Sequence, residues 1–209
     1  MARAARLRLP RPRLVAGRAR RRYAGLTLPA ADDTPVLIVT GPPGVGKTTA
    51  AGILAGRSPR AVHMEADRFF HFIRNSYVEP WRPESHEQNR VVMEIVAKAA
   101  AGYAEAGYLT IVDGIVIPEW FLEPLRGALQ AADHRIAYAV LRAPLASCLA
   151  RVQEREGQPP VDHEALTRLW QSFSGLGELE ANVIDVDGRS AEEAADILEQ
   201  RLADGRLAV

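Results

Sequence analysis

The sequence predicts a layered α/β domain built on a mostly parallel sheet of five strands. Three observations carry that prediction. Five short apolar runs alternate with helical patterns along the chain. The first run is aliphatic at every position rather than every second one, the pattern of a strand covered on both faces. A glycine-rich loop follows that run at once and leads straight into a helix.

Order is expected from residue 35, after a proline-bounded linker. Val36-Leu37-Ile38-Val39 is the first strand, and residues 48–55 read as the first helix. Residues 61–64 are a weaker second strand, with Asp67 just past it and Phe69, Phe70, Phe72 and Ile73 as the apolar side of a short helix. Tyr77, Pro80, Trp81 and Pro83 make 75–83 irregular. Residues 84–106 have helical spacing, with Val91, Val92, Ile95, Val96 and Ala99 on one face. The third strand, 109–112, ends at Asp113-Gly114. A helix over 118–131 carries Pro118 near its first turn, where a missing N–H costs nothing. The fourth strand is 136–141, and the helix over 144–156 is broken by Gly157-Gln158-Pro159-Pro160. Asp162 caps a helix to about residue 173, residues 183–186 form the fifth strand, and Ser190 caps a last helix through 202.

The 26 basic and 26 acidic residues cancel overall but not locally. Residues 1–22 hold nine arginines and no acid, which leaves a net charge of −9 on the remainder. That acidic remainder argues against a generic nucleic-acid surface, while a local site still admits a metal-complexed anion. The arginine-rich head reads as a disordered extension, because like charges repel and little in it can be buried. A basic arm and an acid-free targeting peptide fit the same composition. The chain therefore divides into 1–34, extension and linker, and 35–209, one folded domain. Cys148 is the single cysteine, which excludes an internal disulfide framework and suits a reducing cytoplasm. Its helical spacing with Leu145 and Leu149 places it in the core as an inert thiol. No apolar run reaches the length of a membrane span.

The loop Gly41-Pro42-Pro43-Gly44-Val45-Gly46-Lys47-Thr48 satisfies G-x-x-x-x-G-K-[ST] between a strand and a helix, the context that gives the pattern meaning. Polyphosphate oxygens need many donors at close range. Gly41, Gly44 and Gly46 let backbone N–H groups approach, and the helix start at Lys47, Thr48 and Thr49 adds more. Lys47 brings a full charge toward the β and γ phosphates, and the Thr48 hydroxyl is offered to Mg²⁺. The glycines run G-x-x-G-x-G and precede Lys-Thr, which excludes the dinucleotide fingerprint G-x-G-x-x-G. ATP and Mg²⁺ are the expected ligands.

Asp67, Asp113 and Asp187 all fall at or past strand ends, so the sheet is expected to bring them to one rim. Asp113 suits a Mg²⁺-side acid; the plainer alternative is a strand-ending Asp-Gly turn. Asp67 is the candidate base on the acceptor side, with helix capping as its alternative and Glu65 as a competing acid. Arg151 and Arg155 share a helical face and can close over a triphosphate, whereas solvated ion pairs would make them ordinary surface residues. Arg142 is a third such arginine. His71, Tyr77, Trp81 and His86 border the expected acceptor pocket, and His63, inside a strand, reads as packed or hydrogen-bonded.

Taken together, GPPGVGKT, Asp67 after strand two, Val112-Asp113-Gly114 and the paired arginines after strand four resemble the small P-loop kinases. Within these the chain is most similar to the chloramphenicol phosphotransferase-like and zeta-toxin-like ATP-binding proteins, over roughly residues 35–203. The resemblance implies the strand order 2-3-1-4-5 and γ-phosphoryl transfer from ATP to a hydroxyl. By position it implies that Gly41–Thr48 hold the phosphates, Asp67 is the base, Arg151 and Arg155 belong to a lid, and the loop at Asp187-Gly188 approaches the adenine. Residues 70–90 match no substrate signature. Gly114 is followed by Ile-Val-Ile rather than by the Pro and Arg usual in adenylate kinases, which argues against a nucleoside-monophosphate acceptor. The leading expectation is a kinase for a small hydroxyl compound. A nucleotide-hydrolysing or nucleotide-sensing protein, and a kinase for a nucleic-acid end or nucleotide sugar, are the other readings.

Overall fold

The computed structural model describes residues 35–154 and 162–209. The arginine-rich head, Arg155 and the Gly157–Pro160 breaker lie outside the described residues. Five strands, β1 (Val36–Thr40), β2 (Ala61–Glu65), β3 (Leu109–Asp113), β4 (Ile136–Arg142) and β5 (Val183–Asp185), form one sheet in the order β2-β3-β1-β4-β5. All four pairings are parallel. The predicted order and parallel sense are those observed. Every residue of β1 and β3 is buried, as the unbroken aliphatic run Val36–Val39 predicts for β1; β2 is a half-buried edge strand, matching its weaker signal.

Helices cover both faces. α1 (Lys47–Arg57) and α7 (Ala191–Ala203) pack on one face with Leu37, Val39, Ile111 and Leu141. On the other face, α3 (His86–Glu105) and α4 (Glu123–Ala131) pack with Ile38, Val112, Tyr138 and Val140. The short α2 (Ala66–Phe70) follows β2, while α5 (Leu145–Gln153) and α6 (His163–Gln171) lie between β4 and β5. Asp162 caps α6 by accepting from the Glu164 and Ala165 N–H groups, and Ser190 caps α7 in a reciprocal box with Glu193, as predicted.

Several expectations are corrected. The apolar face of α3 is rotated from the predicted one. Val92, Met93, Val96, Ala97 and Ala100 are buried, whereas Val91 and Ile95 remain 40% and 49% exposed. The helix predicted over 118–131 opens instead as a π-turn at Pro118–Leu122, with the Trp120, Phe121 and Leu122 N–H groups all donating to Ile117 O. Pro124 is the physical cause: it has no N–H for Trp120 O, and its ring crowds that carbonyl. α2 stops at Phe70, which is buried, and Phe72 lies past its end, 72% exposed, rather than on the helix's apolar side. The C-terminal tail was not foreseen. Its Ala208 bridges Ala137 antiparallel, and Leu207 O accepts from Tyr138 N, covering the edge of β4 that the short β5 leaves open.

Candidate functional site

In a parallel sheet every strand points the same way, so the loops after β1, β2, β3 and β5 share one rim. Asp67, Asp113 and Asp187 all sit there.

The loop after β1 is shaped by its glycines. Gly41, Gly44 and Gly46 have φ of 140°, 80° and 100°, in the region that side chains disfavour. At Gly44 a Cβ would lie 2.3 Å from Cys148 O and 2.7 Å from the Val152 side chain, so the loop lies directly against α5. Gly46 is different: a Cβ there would meet nothing within 4 Å, so its positive φ rather than crowding favours glycine. Gly44→Ala is therefore expected to destabilise the fold by about 2–4 kcal/mol, combining positive-φ strain with backbone overlap. Chemical denaturation checks it, and unchanged stability would contradict this packing.

α1 begins at this loop with no side-chain cap and no acid in its first turn, unlike α6 and α7. Its first N–H groups thus keep their capacity for an anion. Lys47 is buried, with its Nζ donating to Pro42 O at 3.3 Å. Thr48 donates its hydroxyl to Asp113 Oδ1 at 3.0 Å, and His63 Nε2 contacts Asp113 Oδ2. The predicted metal-side pair is thus in contact. Among the described residues, no three His, Cys, Asp or Glu side chains cluster as a metal cage. A cation at Thr48 and Asp113 would complete its shell from phosphate and water, as Mg²⁺ commonly does.

Asp67 does not act as a helix cap; the α2 cap position is Glu65, whose side chain pairs with Arg68 at 2.6 Å. The Asp67 carboxylate lies instead beside the loop after β3, where the Ile115 backbone favours its charged form. Gly114 permits this approach, since a Cβ there would lie 2.9 Å from Ala66 Cβ. Asp67 is exposed at the rim, yet the neighbouring protein strips part of the water from its carboxylate. That desolvation pushes its pKa up, against the Lys47 charge, with Asp113 adding to the rise and His71 and the Ile115 backbone opposing it. Tyr77 feels the Asp67 charge too, its phenol being raised first by burial, then by Glu79 and Asp67. His71 and Tyr77 therefore lie within reach of the Asp67 charge. His86 instead lines a cavity of about 180 Å³ with Asn89 and Trp120, and Trp81 is exposed.

Of the arginines, Arg151 reaches the loop itself, with Nη1 donating to Val45 O at 3.4 Å. Arg142 does not: its guanidinium forks onto Glu180 at 2.9 Å and donates to Phe173 O at 2.7 Å, a tie that draws Glu180 down to about 2. Cys148 is buried, and burial pushes its thiol up, as an inert core residue should behave. The Asp187 loop joins α5 through Ser147, which donates to Asp187 Oδ1 at 2.9 Å.

Two supporting residues escaped the sequence reading. Thr40, the last residue of β1, exchanges hydrogen bonds with Val116, its hydroxyl accepting from the N–H at 2.8 Å and donating to the carbonyl at 3.3 Å. Tyr138 donates to the same carbonyl at 2.7 Å. Together they pin the loop that sets Ile115 beside Asp67. Their signal was a hydroxyl inside fully apolar strands, which must find a partner when buried.

The chain compares with known proteins as follows. A tunicamycin resistance protein of Deinococcus radiodurans superposes with a TM-score of 0.59 at 22% identity, over 82% of this chain and 95% of that one. A sugar kinase of Janibacter sp. gives 0.62 at 20%, over 83% and 98%. An APS kinase of Mycobacterium tuberculosis, in complex with AMPPNP and APS, gives 0.60 at 18%, over 82% and 99%. At these identities the likeness establishes the fold. No curated protein matches the chain. Among the described residues no helix is long and apolar enough to cross a membrane. The family described as AAA domain matches residues 36–176, most of the chain including the phosphate loop, Asp67 and Asp113, and the chain belongs to that family.

Proposed function

We propose that this chain is an ATP-dependent phosphotransferase that moves the γ-phosphoryl group to a hydroxyl of a small molecule. The observation that supports this most is the placement of Asp67 on the same rim as Lys47, whose charge opposes the rise in the Asp67 pKa. A phosphate loop alone serves hydrolases and kinases equally. An exposed acid in the short helix after β2, with His71 and Tyr77 within reach of its charge, gives an incoming hydroxyl a proton acceptor. The resistance protein and sugar kinase that share this fold are described in terms of small molecules, which fits the same reading.

In this reading the amides of residues 44–49 and the Lys47 ammonium hold the β and γ phosphates, so that binding itself orients the reacting group. Bound Mg²⁺ would neutralise phosphate charge beside Thr48 and Asp113. Arg151 adds positive charge from α5, and Arg155, two residues past that helix, is proposed to join it in closing over the triphosphate. Asp67 orients the acceptor hydroxyl and takes its proton. The setting we propose is the cytoplasm, where Mg–ATP is available and Cys148 stays reduced, with a small-molecule rather than a nucleic-acid partner.

Ionised Asp67 is the working form, so activity is lost as pH falls through its pKa. Because that pKa is raised in the fold, the acid limb of kcat/KM is expected above the ordinary aspartate value of about 3.9. A pH–rate profile checks this, and an acid limb at or below that value contradicts it. The reaction itself is tested with labelled ATP, Mg²⁺ and a panel of sugars, aromatic alcohols and amphipathic polyols. Label transferred to one class of organic product supports the proposal. ADP release with no labelled organic product across the panel would favour hydrolysis or nucleotide sensing instead.

A further inference from the structure

We infer that His63 is a positioning residue for the cation-holding pair, setting the affinity for Mg²⁺ through Asp113 without touching substrate. The inference deepens the phosphotransferase reading, since it requires a cation at Thr48 and Asp113. His63 lies on β2 opposite Ile111 of β3, on the face turned toward α1. Its ring sits beside Gly52 of α1, where a Cβ would stand 3.6 Å from Nδ1, in ordinary contact. The other ring nitrogen, Nε2, meets Asp113 Oδ2. The Asp113 side chain is 4% exposed, so its carboxylate depends on protein donors rather than on bulk water.

Each carboxylate oxygen has one of these partners, Thr48 on Oδ1 and His63 on Oδ2. Two donors on opposite oxygens fix the plane of the group, where one would leave it free to pivot. The consequence passes to Thr48. A hydroxyl has a single proton and two lone pairs. With its proton held by Oδ1, Thr48 keeps both lone pairs for a cation, and their direction follows the carboxylate. His63 therefore orients Asp113, and Asp113 orients Thr48. Partners of this kind, one step removed from a metal, typically change metal affinity by about 10- to 100-fold when removed.

The test uses the full chain and a fluorescent, non-hydrolysable ATP analogue. Its affinity is measured against Mg²⁺ concentration and again in excess chelator, for the wild type, His63→Ala and His63→Gln, with thermal denaturation alongside. In His63→Ala the Mg²⁺ concentration for half-maximal enhancement is expected to rise about 10- to 100-fold, with the metal-free affinity unchanged. The Gln amide nitrogen falls near the position of Nε2, so His63→Gln should restore most of the metal response. Should the Ala variant not fold, His63→Asn, whose amide is too short to reach Asp113, replaces it with the same expectation. A normal metal response in the Ala or Asn variant overturns the inference, as does equal impairment of the Gln variant or an equal loss in chelator. A wild type without any Mg²⁺ enhancement would remove the phosphotransferase reading and this inference together, whereas enhancement that ignores residue 63 removes this inference alone.

Discussion

Asp67→Asn is expected to lower the rate of phosphoryl transfer by about 10²–10⁴-fold, the range lost with a positioned general base. ATP binding should survive, because the phosphate loop and Lys47 are unchanged. Stability at neutral pH should not fall. Burial raises the folded pKa of Asp67, so between its ordinary and its folded pKa the native state holds protons that the unfolded chain has released. Stability then declines as pH rises through that window and stays lowered above it. Asparagine removes the charge that causes the decline and keeps an oxygen toward the Ile115 backbone. The variant should therefore match or exceed the wild type in denaturation midpoint at pH 7. Steady-state kinetics and urea unfolding of one preparation check both halves. A variant that transfers phosphoryl at near wild-type rate, or is clearly less stable, would make Asp67 a structural acid.

The second large effect is expected at Lys47. Its ammonium is buried at the base of the loop, donating to Pro42 O. Lys47→Ala removes a charge-assisted contact worth about 1.5–3 kcal/mol, or roughly 10- to 150-fold in ATP affinity. Turnover should fall further than affinity, because charge accumulates on the γ-phosphoryl oxygens in the transition state. Calorimetric titration and single-turnover rates separate the two losses. Undiminished turnover would remove Lys47 from the mechanism.

Much of this was legible in the chain because phosphate binding is written locally. A strand buried on both faces, positive-φ glycines and a helix start occupy contiguous residues 36–50, so one window of sequence holds the whole cradle. The Asp113–Thr48 contact was also within reach, since an acid ending a strand beside the loop has few other places to face. What escaped depends on long-range packing. Which stripe of α3 is buried was ambiguous, because Val91-Val92 and Ile95-Val96 fit two adjacent faces equally. The small partners Ala97 and Ala100 decided it by letting the helix settle on the sheet. The departure at 118–122 was marked by Pro124, but Pro118 drew the helix start to itself. His63 read as a packed or hydrogen-bonded strand residue, and only the pairing of β2 with β3 reveals that its partner is Asp113.

Every role assigned above depends on the loop at residues 41–48 cradling a triphosphate. Calorimetric titration of a non-hydrolysable ATP analogue with Mg²⁺ into the full chain measures this most directly. One saturable site per chain is predicted, weakened in Lys47→Ala and retained in Asp67→Asn. Absence of saturable binding by a correctly folded wild type, or binding indifferent to Lys47, would contradict it.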